Sequence, residues 1–164
     1  MALFDNKTFT THDDYMTPDS AWEDIKHLIP SNKVIWEAFY GDGSSGDCLK
    51  RLGFDVIHEK VDFFENDLGE IIVSNPPFSK CKLILERLAV LNKPFILIMP
   101  CSKICTSYMR RYFKDKGLQI IIPTKRIHFH KIENGKPSTS KSSANFDCFY
   151  YCYKIGLSSD IIWL

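Results

Sequence analysis

Val34-Ile35-Trp36-Glu37-Ala38-Phe39-Tyr40-Gly41-Asp42-Gly43-Ser44-Ser45-Gly46 reads as a buried strand running into a glycine-rich turn. A helix follows, carrying Cys48, Leu49 and Leu52, and Gly53 is its expected stop. The same alternation recurs downstream. Ile71, Ile72 and Val73 form a short β-branched strand, and Leu83, Leu85, Leu88 and Leu91 then repeat at helical spacing. Phe95 to Met99 is a wholly apolar strand closed by Pro100, and 102–116 is predicted as an amphipathic helix exposing Arg110, Arg111, Lys114 and Lys116. Leu118 to Ile122 is the next strand, ended by Pro123, and Phe146 to Tyr153 returns as an aromatic strand. Strands alternating with helical patterns mean an α/β protein. The expected fold is a mostly parallel sheet with helices on both faces and a C-terminal antiparallel hairpin edge. Upstream, Ser20-Ala21-Trp22-Glu23 matches a capping box, with Trp22, Ile25, Leu28 and Ile29 on one helical face before Pro30.

Two segments carry chemistry. Gly41, Gly43 and Gly46 match the dinucleotide pattern GxGxxG, with Glu59 near the ribose-binding distance. An acidic Glu37 closes the strand, however, and Phe39 follows it, giving E-x-F-x-G-x-G. The glycines then let the backbone approach a cofactor bearing an ammonium and a carboxylate rather than a pyrophosphate. The second segment is Asn75-Pro76-Pro77-Phe78, at the carboxyl end of the Ile71–Val73 strand, where open α/β sheets bind ligands. Consecutive prolines offer no N–H and hold φ near −65°, so the turn is stiff and its carbonyls are left to accept. An amide oxygen, a fixed carbonyl and a ring suit a planar group bearing an exocyclic NH2, as on a base removed from its stack. Asn-Pro-Pro is also ordinary turn chemistry.

With these residues in order, the chain resembles the S-adenosylmethionine-dependent amino-methyltransferases. It is most similar to the small phage and viral DNA adenine-N6 methyltransferases. Tyr15-Met16-Thr17-Pro18 matches the N-terminal Y-x-T-P element of that family, and Glu37 to Gly43 matches its cofactor loop. The resemblance implies a Rossmann-like class I methyltransferase fold. It implies Asn75, Pro76, Pro77 and Phe78 as the catalytic motif. The implied cofactor contacts are Tyr15, Thr17, Pro18, Glu37, Phe39, Gly41, Gly43, Glu59, Asp62 and Phe63, with Glu59 on the ribose hydroxyls and Asp62-Phe63-Phe64 beside the adenine. The interval between Phe64 and Ile71 leaves little room for a full third strand, and a single domain without a separate target-recognition domain is expected.

At 164 residues the chain is expected to form one domain, with a polar arm over 1–14 and a flexible basic loop over 131–145. The net charge of +1 gives no global sign of nucleic acid, so any electrostatic footprint must be local. Such a footprint lies late in the chain: Lys125, Arg126, Lys131, Lys136 and Lys141, with His128 and His130, face the single acid Glu133. The resemblance sets this segment beside the substrate cleft, where Lys125, Arg126, Lys136 and Lys141 are the expected phosphate contacts. No run reaches the length of a membrane span and no signal pattern opens the chain, so a cytoplasmic setting is expected, the host's if the source is viral or phage. Six cysteines, two C-x3-C pairs among them, are expected as reduced thiols without a metal. The expected partner is DNA, with a homodimer or a targeting partner compatible with the small size. RNA adenine or guanine, protein glutamine, a non-catalytic subunit of the same fold, and a dinucleotide oxidoreductase remain open at this stage.

Overall fold

The computed structural model describes residues 13, 15–133, 136–137 and 146–164. Most of the expected 1–14 arm and much of the 131–145 loop, Lys141 included, lie outside the described residues. Seven strands form the main sheet: β2 (Ile35–Trp36), β3 (Val56–Ile57), β4 (Ile71–Ser74), β5 (Phe95–Pro100), β6 (Gln119–Ile122), β9 (Cys148–Tyr153) and β10 (Ile161–Trp163). Their order is β10-β6-β9-β5-β4-β2-β3, and every neighbour pair is parallel except those made by β9. A second, small sheet joins β1 (Tyr15–Met16), β7 (His130–Glu133) and β8 (Lys136–Pro137). Among the described residues there are four α-helices: α1 (Asp19–Ile25), α2 (Ser44–Arg51), α3 (Cys81–Leu91) and α4 (Ser107–Phe113).

The central strands are buried at every position, as the continuous apolar runs require of a sheet covered on both faces. Alternation along β5 shows the two layers. Ile96 and Ile98 join Trp22, Ile25 and Leu49 on the α1–α2 face, while Phe95, Leu97 and Met99 join Leu85, Leu88 and Phe113 on the α3–α4 face. No strand forms between β3 and β4. Lys93 holds that connection instead, its ammonium donating to the Leu68 and Gly69 carbonyls at 2.8 Å and pairing with Asp67.

Three expectations change. The aromatic strand β9 is not an edge but lies between β5 and β6, in register Phe95↔Tyr153 to Pro100↔Cys148. Its side chains fill both layers: the Tyr150 hydroxyl donates to the Ala21 carbonyl and the Tyr151 hydroxyl to the Pro100 carbonyl, each at 2.7 Å. Buried phenols with partners belong to an interior strand, and β10, which exposes Ile161 and Trp163, takes the edge. The capping box does not form. Helix α1 begins at Asp19 behind an extended Pro18, one residue before Ser20, and no side chain caps it. The helix expected over 102–116 is a 3₁₀ turn over Cys101–Cys105 followed by α4, because Thr106 accepts the Met109 N–H at 3.3 Å and starts the helix anew.

Among the described residues, no helix is long and apolar enough to cross a membrane, and no group of three or more His, Cys, Asp or Glu is placed to hold a metal. Cys48, Cys81, Cys148 and Cys152 are buried.

Candidate active site

The loops after β2, β3 and β4 converge at the carboxyl rim of the sheet, and β1 joins them through Tyr15 and Met16. They enclose a cavity of about 220 Å³. Tyr15 and Thr17 line it, as do Glu37, Phe39 and Gly41 from the glycine turn, Asp62 and Phe63 from the loop after β3, and Asn75 to Phe78. The chain thus brings together most residues singled out from sequence. Pro18, Gly43 and Glu59 do not line the cavity. Gly43 lies one step behind it, with φ of 94° as the residue that opens α2, a conformation costly for any side chain. Glu59 is exposed, and its neighbour Lys60 lines the cavity in its place.

Local chemistry explains the arrangement. Asp42 Oδ1 accepts from the Ser44 N–H at 2.9 Å and its hydroxyl at 2.6 Å, fixing the turn into α2. Asp62 accepts the Phe64 N–H at 2.8 Å, which turns Phe63 inward against Phe39 with ring centroids 4.9 Å apart. Gly46 is required by packing. A Cβ there would stand 2.2 Å from the ring of His58, which stacks on Tyr40 at 4.3 Å and 13°. Gly46→Ala is therefore expected to cost about 1–3 kcal/mol, read from the denaturation midpoint, with part recovered in the Gly46→Ala/His58→Ala double variant. A neutral single variant contradicts this packing.

Polar satisfaction is uneven around the cavity. Thr17 Oγ1, Glu37 Oε2 and Asn75 Oδ1 are buried and have no hydrogen-bond partner among the described residues, although buried polar atoms nearly always have one. All three residues line the cavity. Glu37 is 1 % exposed and its carboxyl is pushed up to about 8, chiefly by burial. Its hydrogen bonds from the Ser74 hydroxyl and the Phe39 backbone offset only part of that, and Asp42 adds to the rise. Ser74, which sequence reading passed over, both donates to Glu37 Oε1 and accepts the Phe39 N–H at 3.3 Å. Its signal was its place directly before Asn75. His58 Nε2 stands 3.4 Å from Glu37 Oε2 without forming a hydrogen bond. Burial lowers the imidazole as it raises the carboxyl, so near neutral pH the contact is between uncharged groups and is not an ion pair.

Asn75 is oriented from the small sheet. Its Nδ2 donates to the Tyr15 carbonyl at 3.5 Å, and Tyr15 pairs with Lys131 across β1 and β7. That leaves Oδ1 as the acceptor. Phe78 is gripped edge-on by Phe146 at 5.2 Å and Phe129 at 6.1 Å, so it serves the core and the cavity wall together. Asp13 accepts from the Ser79 N–H at 3.2 Å and from its hydroxyl, tying the residue before the small sheet to the end of the motif.

The basic segment is only partly drawn in. Ile127 and Phe129 point inward, while His128 and His130 share the exposed face. Lys125 is exposed, and Arg126 forms a bidentate pair with Asp147 at 2.7 and 3.2 Å. Lys136 pairs with Glu133 through the backbone of β7 and β8, and Lys141 is outside the described residues. Met16, Tyr40 and Lys60 line the cavity without having been picked out, although each adjoins a residue that was.

The fold is Rossmann-like: a mostly parallel sheet between two helical layers, with one antiparallel strand of that sheet, β9, set between β5 and β6. No family model matches the sequence, and no curated protein matches it. Among solved structures, a crystal structure of precorrin-6y C5,15-methyltransferase from Geobacter metallireducens GS-15 aligns over 92% of this chain and 97% of that one. The identity is 11% and the TM-score 0.47.

Proposed function

We propose that this chain transfers a methyl group from S-adenosylmethionine to the exocyclic N6 amine of adenine in DNA. The observation that carries the reading is the set of three unpartnered buried polar atoms, on Thr17, Glu37 and Asn75, around a single cavity at the carboxyl rim. Buried polar atoms nearly always meet a partner, and these three converge on one cavity, whereas the other such atoms among the described residues, on Trp36, His58 and Arg87, do not line it. The set divides by chemistry. A carboxylate on the glycine turn suits an ammonium, and an amide oxygen on a proline-stiffened turn suits an amine hydrogen.

These residues fit the cofactor. Glu37 would hold its ammonium, Phe39 and Phe63 would flank its adenine, and Gly41 would admit it close to the backbone. S-adenosylmethionine supplies an electrophilic methyl on a sulfonium. Adenine N6 is a poor nucleophile because its lone pair is delocalised into the ring. Asn75 Oδ1 and the Pro76 carbonyl accept the two amino hydrogens, favouring a pyramidal nitrogen with a localised pair. Phe78 stacks on the extruded base. Positive charge developing on N6 then meets acceptors already in place, the reverse of an oxyanion hole. Alignment of nitrogen with methyl supplies much of the remaining rate. No strong base is needed before attack, since the proton leaves only after nitrogen is cationic.

Transfer of labelled methyl to unmethylated duplex DNA, single-stranded DNA, RNA and a protein extract in parallel tests the proposal. Label in DNA adenine is expected. Label confined to RNA or protein moves the substrate and keeps the chemistry. Bound cofactor with no transfer to any of them contradicts the catalytic reading.

A further inference from the structure

Charge is sorted along the carboxyl rim of the sheet. The turn segments 38–43 and 58–65 carry Asp42, Glu59, Asp62 and Glu65 against Lys60. The segments after β4, β5 and β6, namely 78–82 (which runs into α3), 101–105 and 123–126, carry Lys80, Lys82, Lys103, Lys125 and Arg126 and no acid of their own, while Asp13 sits against Ser79 and Asp147 against Arg126. The near-zero net charge of the chain hides this division. The sheet order makes the basic turns neighbours, because β9 sits between β5 and β6 and delivers Asp147 to their ends. The Asp147 carbonyl accepts the Cys101 N–H at 2.8 Å, and its carboxylate receives the Arg126 guanidinium. Asp147 therefore fastens the 101–105 turn to the 123–126 turn. The Cys81 thiol beside Lys80 and Lys82 is pushed up to about 12, chiefly by burial, with the charge of Lys103 opposing the rise.

We propose that this basic arc carries the phosphate backbone of DNA past the cavity, with Lys103 and Lys125 as phosphate contacts and Arg126 as the residue that positions the arc through Asp147. The inference rests on the reading of DNA as substrate and adds where the strand lies. The arc starts at the Asn75–Phe78 motif, so a backbone laid along it brings a base to Phe78. The acidic half of the rim repels the same strand and leaves the cofactor side clear. Lysines holding phosphates give register without sequence readout.

The test is the salt dependence of binding to a short DNA duplex, with S-adenosylhomocysteine present, for three proteins. In the Lys103→Gln/Lys125→Gln variant the slope of log affinity against log salt is expected to flatten by about 2, roughly one for each lost contact. The Lys114→Gln/Lys116→Gln variant removes the same charge from the exposed turn that leads into the start of β6, at the opposite rim. Its slope is expected to match the wild type. Unchanged S-adenosylhomocysteine affinity in both variants shows that neither has unfolded. Equal slopes in all three proteins overturn the arc, and so does a wild type with no salt-dependent binding. Methyl transfer is read separately. Salt-dependent binding lost with Lys103 and Lys125, in a protein that methylates no DNA, supports the arc and counts against the proposed reaction.

Discussion

Asn75→Ala is expected to lower kcat for methyl transfer by about 10³-fold while the affinity for S-adenosylmethionine stays within about twofold. The asymmetry follows from where the side chain is held. Asn75 Nδ2 is spent on the Tyr15 carbonyl, while Oδ1 is buried at the cavity with no partner among the described residues. On the proposed reaction, that oxygen meets the amine only as nitrogen becomes pyramidal and cationic. Its removal therefore acts on the transition state more than on either ground state. Asn75→Asp separates geometry from charge, because it keeps an acceptor and loses the donor to Tyr15. It is expected to retain more activity than alanine. Single-turnover transfer and calorimetric cofactor binding check both variants. Equal loss of transfer and cofactor binding would place Asn75 in the cofactor site and remove it from the base clamp.

The second large effect belongs to Glu37. With its carboxyl held near 8 against an ordinary 4.5, the folded chain keeps a proton that the unfolded chain has released across that interval. Its contribution to stability is therefore fully present below about 4.5 and is lost as pH rises through about 8. A cationic ligand reverses the preference, since an ammonium beside Glu37 favours the carboxylate. Cofactor binding at pH 7 is expected to release close to one proton, and affinity to rise toward pH 8. Glu37→Gln removes the charge and keeps the shape. It is expected to weaken S-adenosylmethionine about 10²-fold at pH 8, abolish the proton release, and flatten the decline in stability between pH 5 and 8. Calorimetry in buffers of different ionisation enthalpy reads the proton, and denaturant midpoints across pH read the stability. Unchanged affinity and proton release in Glu37→Gln would mean that the ammonium lies elsewhere.

How much of this was legible depended on the kind of signal. Strands β4 and β5 were visible because unbroken apolar runs reflect burial directly, and helix α3 because its apolar residues fall at helical spacing, although the face it buries is Cys81, Ile84, Leu85 and Leu88 and leaves Leu83 exposed. The glycine turn and the Asn-Pro-Pro turn were visible because only those residue types make such backbones. The interior place of β9 was not, since a run of tyrosines suits an edge as well as a core. What decides it is the Tyr150 hydroxyl reaching the Ala21 carbonyl, a contact between distant parts of the chain. Glu59 and Lys60 show a second limit. They adjoin on a turn with no periodicity, and only tertiary packing sets which side chain meets the cavity. Arg126 shows a third: sequence marks a cation near the site, and the structure gives its guanidinium to Asp147. The charge division along the rim needed the strand order, because its basic turns are scattered from residue 80 to residue 126.

The most direct test of the central claim is the identity of the methylated atom. Unmethylated DNA incubated with the wild-type protein and S-adenosylmethionine, then digested to nucleosides and resolved by mass spectrometry, is predicted to yield N6-methyldeoxyadenosine. The same digest from Asn75→Ala is predicted to yield almost none. Methylation of a ring carbon, or of a ring nitrogen of adenine, would contradict a clamp built for an exocyclic amine.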